Sequence, residues 1–219
     1  MILISNPDKS QWQEILKRPV MNTENLFDTV RSVIDRVKEE GDRAVLDYEE
    51  KFDKVVLASL AVSEEEQQEA ENLVSEDLKA AIRLAKQNIE TFHAAQRFEG
   101  KKVQTQPGVT CWQKAVAIEK VGLYIPGGTA PLFSTVLMLA VPARIAGCKE
   151  IVLCTPPGRD GKVHPAVLFA AKVAGVSTGF SKLAAYKPLP LWHTERKVCL
   201  RFTRYSVREI SMSRLPNSL

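Results

Sequence analysis

The chain has 219 residues, of which 45% are hydrophobic, which suffices for one large domain or two small ones and excludes a disordered chain. The formal net charge of +4 is confined to the end, since residues 179–219 carry eight basic and two acidic side chains, whereas residues 1–178 carry 22 basic and 24 acidic ones. The four cysteines are scattered along the chain, which excludes a disulfide scaffold and favours buried, reduced thiols. The sequence shows no signal-peptide or membrane-spanning pattern, which predicts a cytoplasmic protein without membrane contact.

Residues 1–120 are predicted to form a helical region with one strand pair. Apolar side chains recur at helical spacing over residues 25–40, which predicts an amphipathic helix. Ser63 followed three positions later by Glu66 is typical of a capping box, in which each side chain binds a backbone N–H at the helix start. Ser75 is expected to cap a further, longer helix. The strand pair is predicted next, around the turn signal Pro107-Gly108.

The following segment alternates between short apolar strands and apolar helices. The predicted elements are a strand at 121–125, a helix at 133–146, a strand at 151–154 and a helix at 165–173. This order predicts a parallel sheet with right-handed crossovers. We therefore expect an α/β fold, with the helical N-terminal region followed by an incomplete Rossmann-like parallel β-α-β-α domain that begins a nucleotide-binding unit at 121–178. A sheet that stops there would leave its last strand as an exposed edge.

The loop between the first predicted strand and its helix contains Pro126, Gly127 and Gly128. Glycines let the backbone approach a ligand, and the N–H groups at a helix start attract anions, so the loop is a candidate anion or dinucleotide site. The alternative is a simple turn, because the pattern is not G-x-G-x-x-G. Tyr124, just before the loop, has a core position as the alternative to a cofactor contact.

A longer string carries a family resemblance. Residues 121–140 read Val-Gly-Leu-Tyr-Ile-Pro-Gly-Gly-Thr-Ala-Pro-Leu-Phe-Ser-Thr-Val-Leu-Met-Leu-Ala, and Pro142, Ala146-Gly-Cys148 and Val152-Leu-Cys-Thr-Pro-Pro157 follow. With Gly41-Asp42, Lys51-Phe-Asp53, Asn88-Ile-Glu-Thr-Phe-His93 and Thr105-Gln-Pro-Gly108 upstream, most of residues 15–178 resembles the histidinol dehydrogenase family.

The resemblance implies an NAD-dependent oxidation of L-histidinol, through the aldehyde, to L-histidine in histidine biosynthesis. It also implies one zinc ion per site and a homodimer. By resemblance, Tyr124 matches the family's cofactor-contacting tyrosine, and Pro126, Gly127 and Gly128 lie close to the NAD.

The same resemblance implies that the family's zinc ligands and its Glu-His acid-base pair lie beyond the equivalent of residue 178. The chain is therefore predicted to be a truncated and inactive form, with no catalytic or metal-binding residue of its own. His93, predicted on the long helix, His164, predicted to cap another, and His193 lack the spacing of a ligand pair and are interpreted as structural or solvated.

Residues 179–219 have no sustained period and are predicted to be a non-homologous basic tail. One explanation is a basic arm, which would make the chain a binding protein for nucleic acid or an anionic surface. The other is an out-of-frame translation. Trp192-His193, for example, must be encoded by TGG-CA, which hides an alanine codon.

With synonymous codons allowed, the tail hides Ile-Phe-Lys-Val-Gly-Gly-Val-Gln-Ala and a continuation that resembles the family's next segment. We therefore hypothesise a frameshift between about Thr178 and Phe180 and predict no nucleic-acid partner. A third hypothesis is a non-catalytic fragment that still binds NAD weakly.

Overall fold

The computed structural model describes residues 4–17, 24–127, 130–176, 179–182 and 204–207. Its N-terminal part is helical, as predicted. It contains a 3-10 turn (Lys9–Gln11), α1 (Trp12–Ile15), α2 (Glu24–Glu40), α3 (Asp42–Tyr48), a π-helical turn (Glu49–Asp53), α4 (Glu64–Leu73) and α5 (Glu76–Ala94). The remaining elements are β1 (Lys102–Gln106), β2 (Val109–Trp112), β3 (Lys120–Tyr124), α6 (Phe133–Ile145), β4 (Glu150–Thr155), α7 (Pro165–Ala174), β5 (Gly179–Lys182) and β6 (Arg204–Val207).

The main sheet has four parallel strands in the order β5-β4-β3-β6. Counted along the chain, this order is 3-2-1-4, which is the start of a doubly wound nucleotide-binding fold. In the register between β3 and β4, Val121 lies opposite Ile151 and Leu123 opposite Leu153. The predicted β-α-β-α order and the parallel sheet are confirmed.

The core lies between one face of this sheet and the helices. Successive side chains of a strand point to opposite faces, and Val121, Leu123 and Ile125 belong to the core cluster that includes α6 and α7. Helix α5 packs on α6, and α4 packs on α7, as a further layer. The alternate residues, Tyr124 among them, are buried on the second face. The sheet therefore has both faces covered, as parallel sheets require.

The predicted exposed edge is wrong, because the sheet continues beyond β4. Strand β5 pairs with β4 over residues 179–182, and the outer side of β5 is covered by residues 60–62. The Val62 N–H donates to the Phe180 carbonyl oxygen at 3.0 Å, and the Lys182 N–H donates to the Leu60 carbonyl oxygen at 2.8 Å. A segment of the N-terminal region thus completes the edge that the sequence pattern left open.

The predicted helix starts are confirmed, with one difference. The Ser63 hydroxyl accepts from the Glu66 N–H at 3.2 Å, and the Ser75 hydroxyl accepts from the Leu78 N–H at 3.4 Å. His164 caps α7, since its Nδ1 accepts from the Ala166 N–H at 3.2 Å. The reciprocal half of the capping box is wrong, because the Glu66 carboxylate binds groups outside its own helix.

The cysteines differ in their surroundings. Cys154 is buried, Cys148 is partly buried and Cys111 is exposed, so the expectation of buried thiols is wrong for Cys111. Cys199 lies outside the described residues. In the part of the chain that the structure describes, no helix combines the length and the apolar character that a membrane crossing needs.

Candidate functional site

A cleft of about 480 Å³ opens at the carboxyl ends of β3 and β4. Its walls are the loops that follow these two strands, the start of α7 and one side of α4. Strand β3 has β4 on one side and β6 on the other, so the order of the strands reverses beside it. Open parallel sheets bind their ligands outside the carboxyl ends of the strands at such a reversal. The cleft is therefore the candidate ligand site.

The structure places two of the four predicted site residues in this cleft. Pro126 and Gly127 line it. Tyr124 is 2% exposed and lies on the second face of the sheet, outside the described lining. Gly128 lies outside the described residues. Pro126 and Gly127 therefore lie at the cleft, whereas Tyr124 lies on the other face of the sheet.

Gly127 is required by packing between the two loops. A Cβ atom added at this residue would lie 2.9 Å from the Cγ atom of Pro156, in the loop after β4. Real Cβ atoms do not approach ring carbons so closely, so any side chain would push the two loops apart. The glycine therefore sets the shape of the cleft.

The amino end of α6 faces the same cleft. Its N-cap residue is Leu132, which lines the cleft and makes no side-chain hydrogen bond to the helix. The first N–H groups of a helix have no partner within the helix, and the helix dipole places a partial positive charge there. By contrast, α7 begins with Pro165, which has no N–H, and is capped by His164. The start of α6 is therefore the better position for an anionic group such as a phosphate.

Charged side chains in the cleft wall are bound to one another. Glu69 pairs with Lys162 at 2.6 Å, and both side chains are about half exposed. The Asp160 Oδ1 atom accepts from the Lys162 N–H at 3.1 Å. Glu66 accepts from the Val163 N–H at 2.8 Å and pairs with Lys182 at 2.6 Å. The sequence indicated Glu66 only as a cap, because nothing local reveals partners about 100 residues away.

Tyr124 has an unusual electrostatic environment. Burial raises the pKa of its phenol well above the usual range, and electrostatic interactions with Asp53, Cys154 and Glu49 raise it further. Glu49 and Asp53 belong to the π-helical turn, so the phenol lies at the junction of the sheet with the N-terminal helices. The phenol is therefore neutral and unable to act as a base near neutral pH.

We expect this environment to make the fold sensitive to alkali. Below about pH 10, the ordinary pKa of tyrosine, the phenol is neutral in the folded and the unfolded chain, and its contribution to the free energy of unfolding does not change with pH. Above it the unfolded chain loses the proton first, so the free energy of unfolding falls as the pH rises towards the higher folded pKa. Tyr124→Phe should reduce this loss, as measured by urea unfolding at about pH 8 and about pH 11. Equal losses of unfolding free energy in the parent and the variant would contradict the raised pKa of Tyr124.

The described residues do not assemble a metal site. Among them, no three His, Cys, Asp or Glu side chains group as metal ligands. The Nδ1 atom of His93, on α5, lies 3.1 Å from the Gln96 Oε1 atom, His164 caps α7, and His193 lies outside the described residues. The described residues therefore provide no donor set that fits a zinc ion.

Comparisons with known proteins agree with one another. The sequence model of the family described as histidinol dehydrogenase matches residues 16–182. The histidinol dehydrogenase of Bacteroides fragilis strain ATCC 25285 is 74% identical over 180 residues, covering 82% of this chain and 42% of that protein. That of Escherichia coli O157:H7 is 48% identical over 172 residues, covering 78% of this chain and 39% of that protein.

The crystal structure of histidinol dehydrogenase from Elizabethkingia anophelis superposes with a TM-score of 0.87 at 39% sequence identity. The superposition covers 95% of this chain and 48% of that one. The chain thus spans about two fifths of the length of the curated relatives it matches and about half of the solved structure.

Proposed function

Because the chain belongs to the histidinol dehydrogenase family, we propose that it forms the part of such an enzyme that holds one portion of NAD. The observation that carries this proposal is the cleft at the carboxyl ends of β3 and β4, which has the uncapped start of α6 in its wall. A cleft of about 480 Å³ is of the size that small ligands occupy, so it suits a portion of a dinucleotide. NAD would supply the acceptor for the hydride that leaves the substrate.

Several residues of the chain would contribute to cofactor binding. The N–H groups of Phe133 and Ser134, which precede the first hydrogen bonds of α6, would bind a phosphate oxygen. Pro126 and Gly127 would shape the wall beside it. By the family resemblance, Gly128 is a further proposed cofactor contact. By the family resemblance, Tyr124 is also a proposed cofactor contact; its side chain is 2% exposed on the second face of the sheet, so this contact would lie outside the cleft described above.

For the whole enzyme we propose the oxidation of L-histidinol, through the aldehyde, to L-histidine in the cytoplasm, with zinc and in a homodimer. The zinc ligands and the acid-base pair would lie in the part of the relatives that this chain does not match. The 219-residue chain would then bind cofactor without catalysis. The rival explanation, a binding protein for nucleic acid, is not favoured by the comparisons.

We further propose that the chain beyond a point between about Thr178 and Phe180 is read in a changed frame. The family match ends at residue 182, close to the expected position of the frameshift. Resequencing the gene around the codons of Thr178 and Phe180 tests this proposal. An uninterrupted frame, with no family-like sequence in the shifted frame, would contradict it.

Substitution of Leu132 tests the cofactor proposal. A carboxylate at this N-cap position satisfies the first N–H groups of α6 and repels a phosphate, so Leu132→Asp should weaken NAD binding about tenfold. The control is Leu132→Asn, which loses the same packing and provides the same kind of cap without the charge. Isothermal titration of each full chain with NAD measures the effect. Equal affinities in the two variants, or no binding by the parent chain, would overturn the proposal.

A further inference from the structure

The cleft at the carboxyl ends of β3 and β4 has two walls of different chemical character. The wall after β3 contains Gly127 and the start of α6, whose first N–H groups can bind a phosphate. The wall after β4 contains Asp160 and Lys162, and α4 adds Glu69 beside them. A dinucleotide in the cleft would therefore meet backbone N–H groups at one wall and charged side chains at the other.

Asp160 lies in the loop after β4, at the end of the β-α-β unit that β3, α6 and β4 form. In doubly wound nucleotide-binding folds the phosphates lie at the start of the helix of such a unit, and an acid further along the unit binds the 2′-hydroxyl of the adenosine ribose. The start of α6 and Asp160 line the same cleft. The order of the two walls therefore fits the adenosine portion of NAD, with its ribose towards Asp160.

The Asp160 carboxylate is held by its own loop and has one oxygen to offer to a ligand. Its Oδ1 atom accepts from the Lys162 N–H at 3.1 Å, and the residue is exposed. Within the part of the chain that the structure describes, its Oδ2 atom makes no hydrogen bond. Because an ionised carboxylate oxygen accepts hydrogen bonds, Oδ2 can accept from a ribose hydroxyl.

The charges of this wall disfavour a phosphate on the 2′-oxygen. Among the described residues that line the cleft, Lys162 is the only lysine or arginine, and its ammonium group is paired with Glu69 at 2.6 Å. Arg159, next to Asp160 in the sequence, is not one of the lining residues. A 2′-phosphate, as in NADP, would place negative charge beside the Asp160 carboxylate, and the lysine that could balance it is already paired.

We propose that the cleft holds the adenosine portion of NAD and that Asp160 selects its ribose 2′-hydroxyl over a 2′-phosphate. Glu69 supports this selection, because it keeps Lys162 from the position that a 2′-phosphate would need. The assignment rests on the cofactor role proposed above for the cleft, and it places the nicotinamide outside the cleft. The chain is therefore expected to prefer NAD to NADP.

Isothermal titration of the 219-residue chain with NAD, ADP-ribose, nicotinamide mononucleotide and NADP tests this assignment. ADP-ribose lacks only the nicotinamide ring, so it should bind within about threefold of NAD, whereas nicotinamide mononucleotide should bind at least about tenfold more weakly. NADP should also bind about tenfold more weakly than NAD, because its 2′-phosphate meets Asp160.

Two substitutions test the residues themselves. Asp160→Asn keeps the shape of the side chain and a hydrogen-bond acceptor but removes the charge, so the preference for NAD over NADP should fall to about threefold. Adding Glu69→Gln, which releases Lys162, should abolish the preference. The control Glu119→Gln removes an exposed acid just before β3, at the opposite end of the strand, and should leave the preference near tenfold. Each preference compares two ligands on one chain, so a change in stability alone does not alter it.

The outcomes separate this assignment from the cofactor proposal. A parent chain that does not bind NAD would overturn both. A parent chain that binds NAD and NADP equally, or ADP-ribose and nicotinamide mononucleotide equally, would overturn the assignment and leave the cofactor role of the cleft in place. An unchanged preference in the double variant would likewise overturn the role of Asp160 and Glu69 alone.

Discussion

Replacing Glu66 by alanine is expected to lower the free energy of unfolding by about 3–5 kcal/mol. Glu66 and Lys182 form an ion pair at 2.6 Å, and each side chain is only 11% exposed. Removing the carboxylate leaves a lysine charge shielded from water without its partner, and it also removes the acceptor of the Val163 N–H. Urea unfolding at neutral pH, followed by circular dichroism, measures the change.

Two controls separate this pair from ordinary surface charges. Glu69→Gln breaks the half-exposed pair with Lys162 and should cost less than about 1 kcal/mol. The double variant Glu66→Met with Lys182→Met removes both buried charges together, so it should recover most of the loss caused by Glu66→Ala. Equal effects of Glu66→Ala and Glu69→Gln would contradict the assigned burial.

The pair matters because it joins three separate segments. Glu66 lies on α4, Val163 lies in the loop before α7, and Lys182 ends β5. The same α4 forms one wall of the cleft, so the shape of the candidate site depends on this junction. A loss of the pair is therefore expected to weaken cofactor binding as well as the fold.

Local features of the fold could be predicted from the sequence because they depend on neighbouring residues. Ser63, Ser75 and His164 cap their helices as expected, since a cap needs only a side chain two or three positions from the N–H that it binds. The turn at Pro107-Gly108 and the β-α-β-α order follow in the same way, from turn residues and hydrophobic period.

Long-range features could not be predicted, because the period of a segment reveals its buried face but not the partner that covers it. Strand β5 has four residues, including Ser181 and Lys182, and no alternation that distinguishes it from a loop. Its order comes from pairing with β4 on one side and residues 60–62 on the other. The sequence likewise predicts that the Glu66 carboxylate binds within its own helix, whereas in the structure it binds Val163 and Lys182.

The candidate site was predicted in part. A glycine loop after a strand predicts close approach of a ligand to the backbone, and this stays a prediction. The close neighbour of Gly127 in the structure is Pro156. The position of Tyr124 on the second face follows from its being one residue before Ile125, since side chains of a strand alternate. The family resemblance identifies Tyr124 as a cofactor contact. The alternation of side chains along β3 predicts in addition that Tyr124 lies on the face of the sheet opposite to that of Leu123 and Ile125.

The present chain and a chain with the restored reading frame are expected to differ greatly in activity. If the tail is read in the proposed frame and continued to the length of the relatives, it would supply the zinc ligands and acid-base pair that we place outside this chain. Losing the general acid and base alone costs up to about 10⁴-fold in rate, so the present chain should form no measurable NADH from L-histidinol.

The assay follows NADH formation with added zinc for both chains, together with zinc content per chain. The restored chain should bind zinc and turn over histidinol. The present chain should do neither but should keep the weak NAD binding that Leu132→Asp reduces. NAD binding without histidinol turnover would show that the present chain is a folded, cofactor-holding portion of the enzyme, because an unfolded chain would show neither binding nor turnover. Histidinol oxidation by the 219-residue chain would instead place catalytic groups within it and overturn the proposed division of the enzyme.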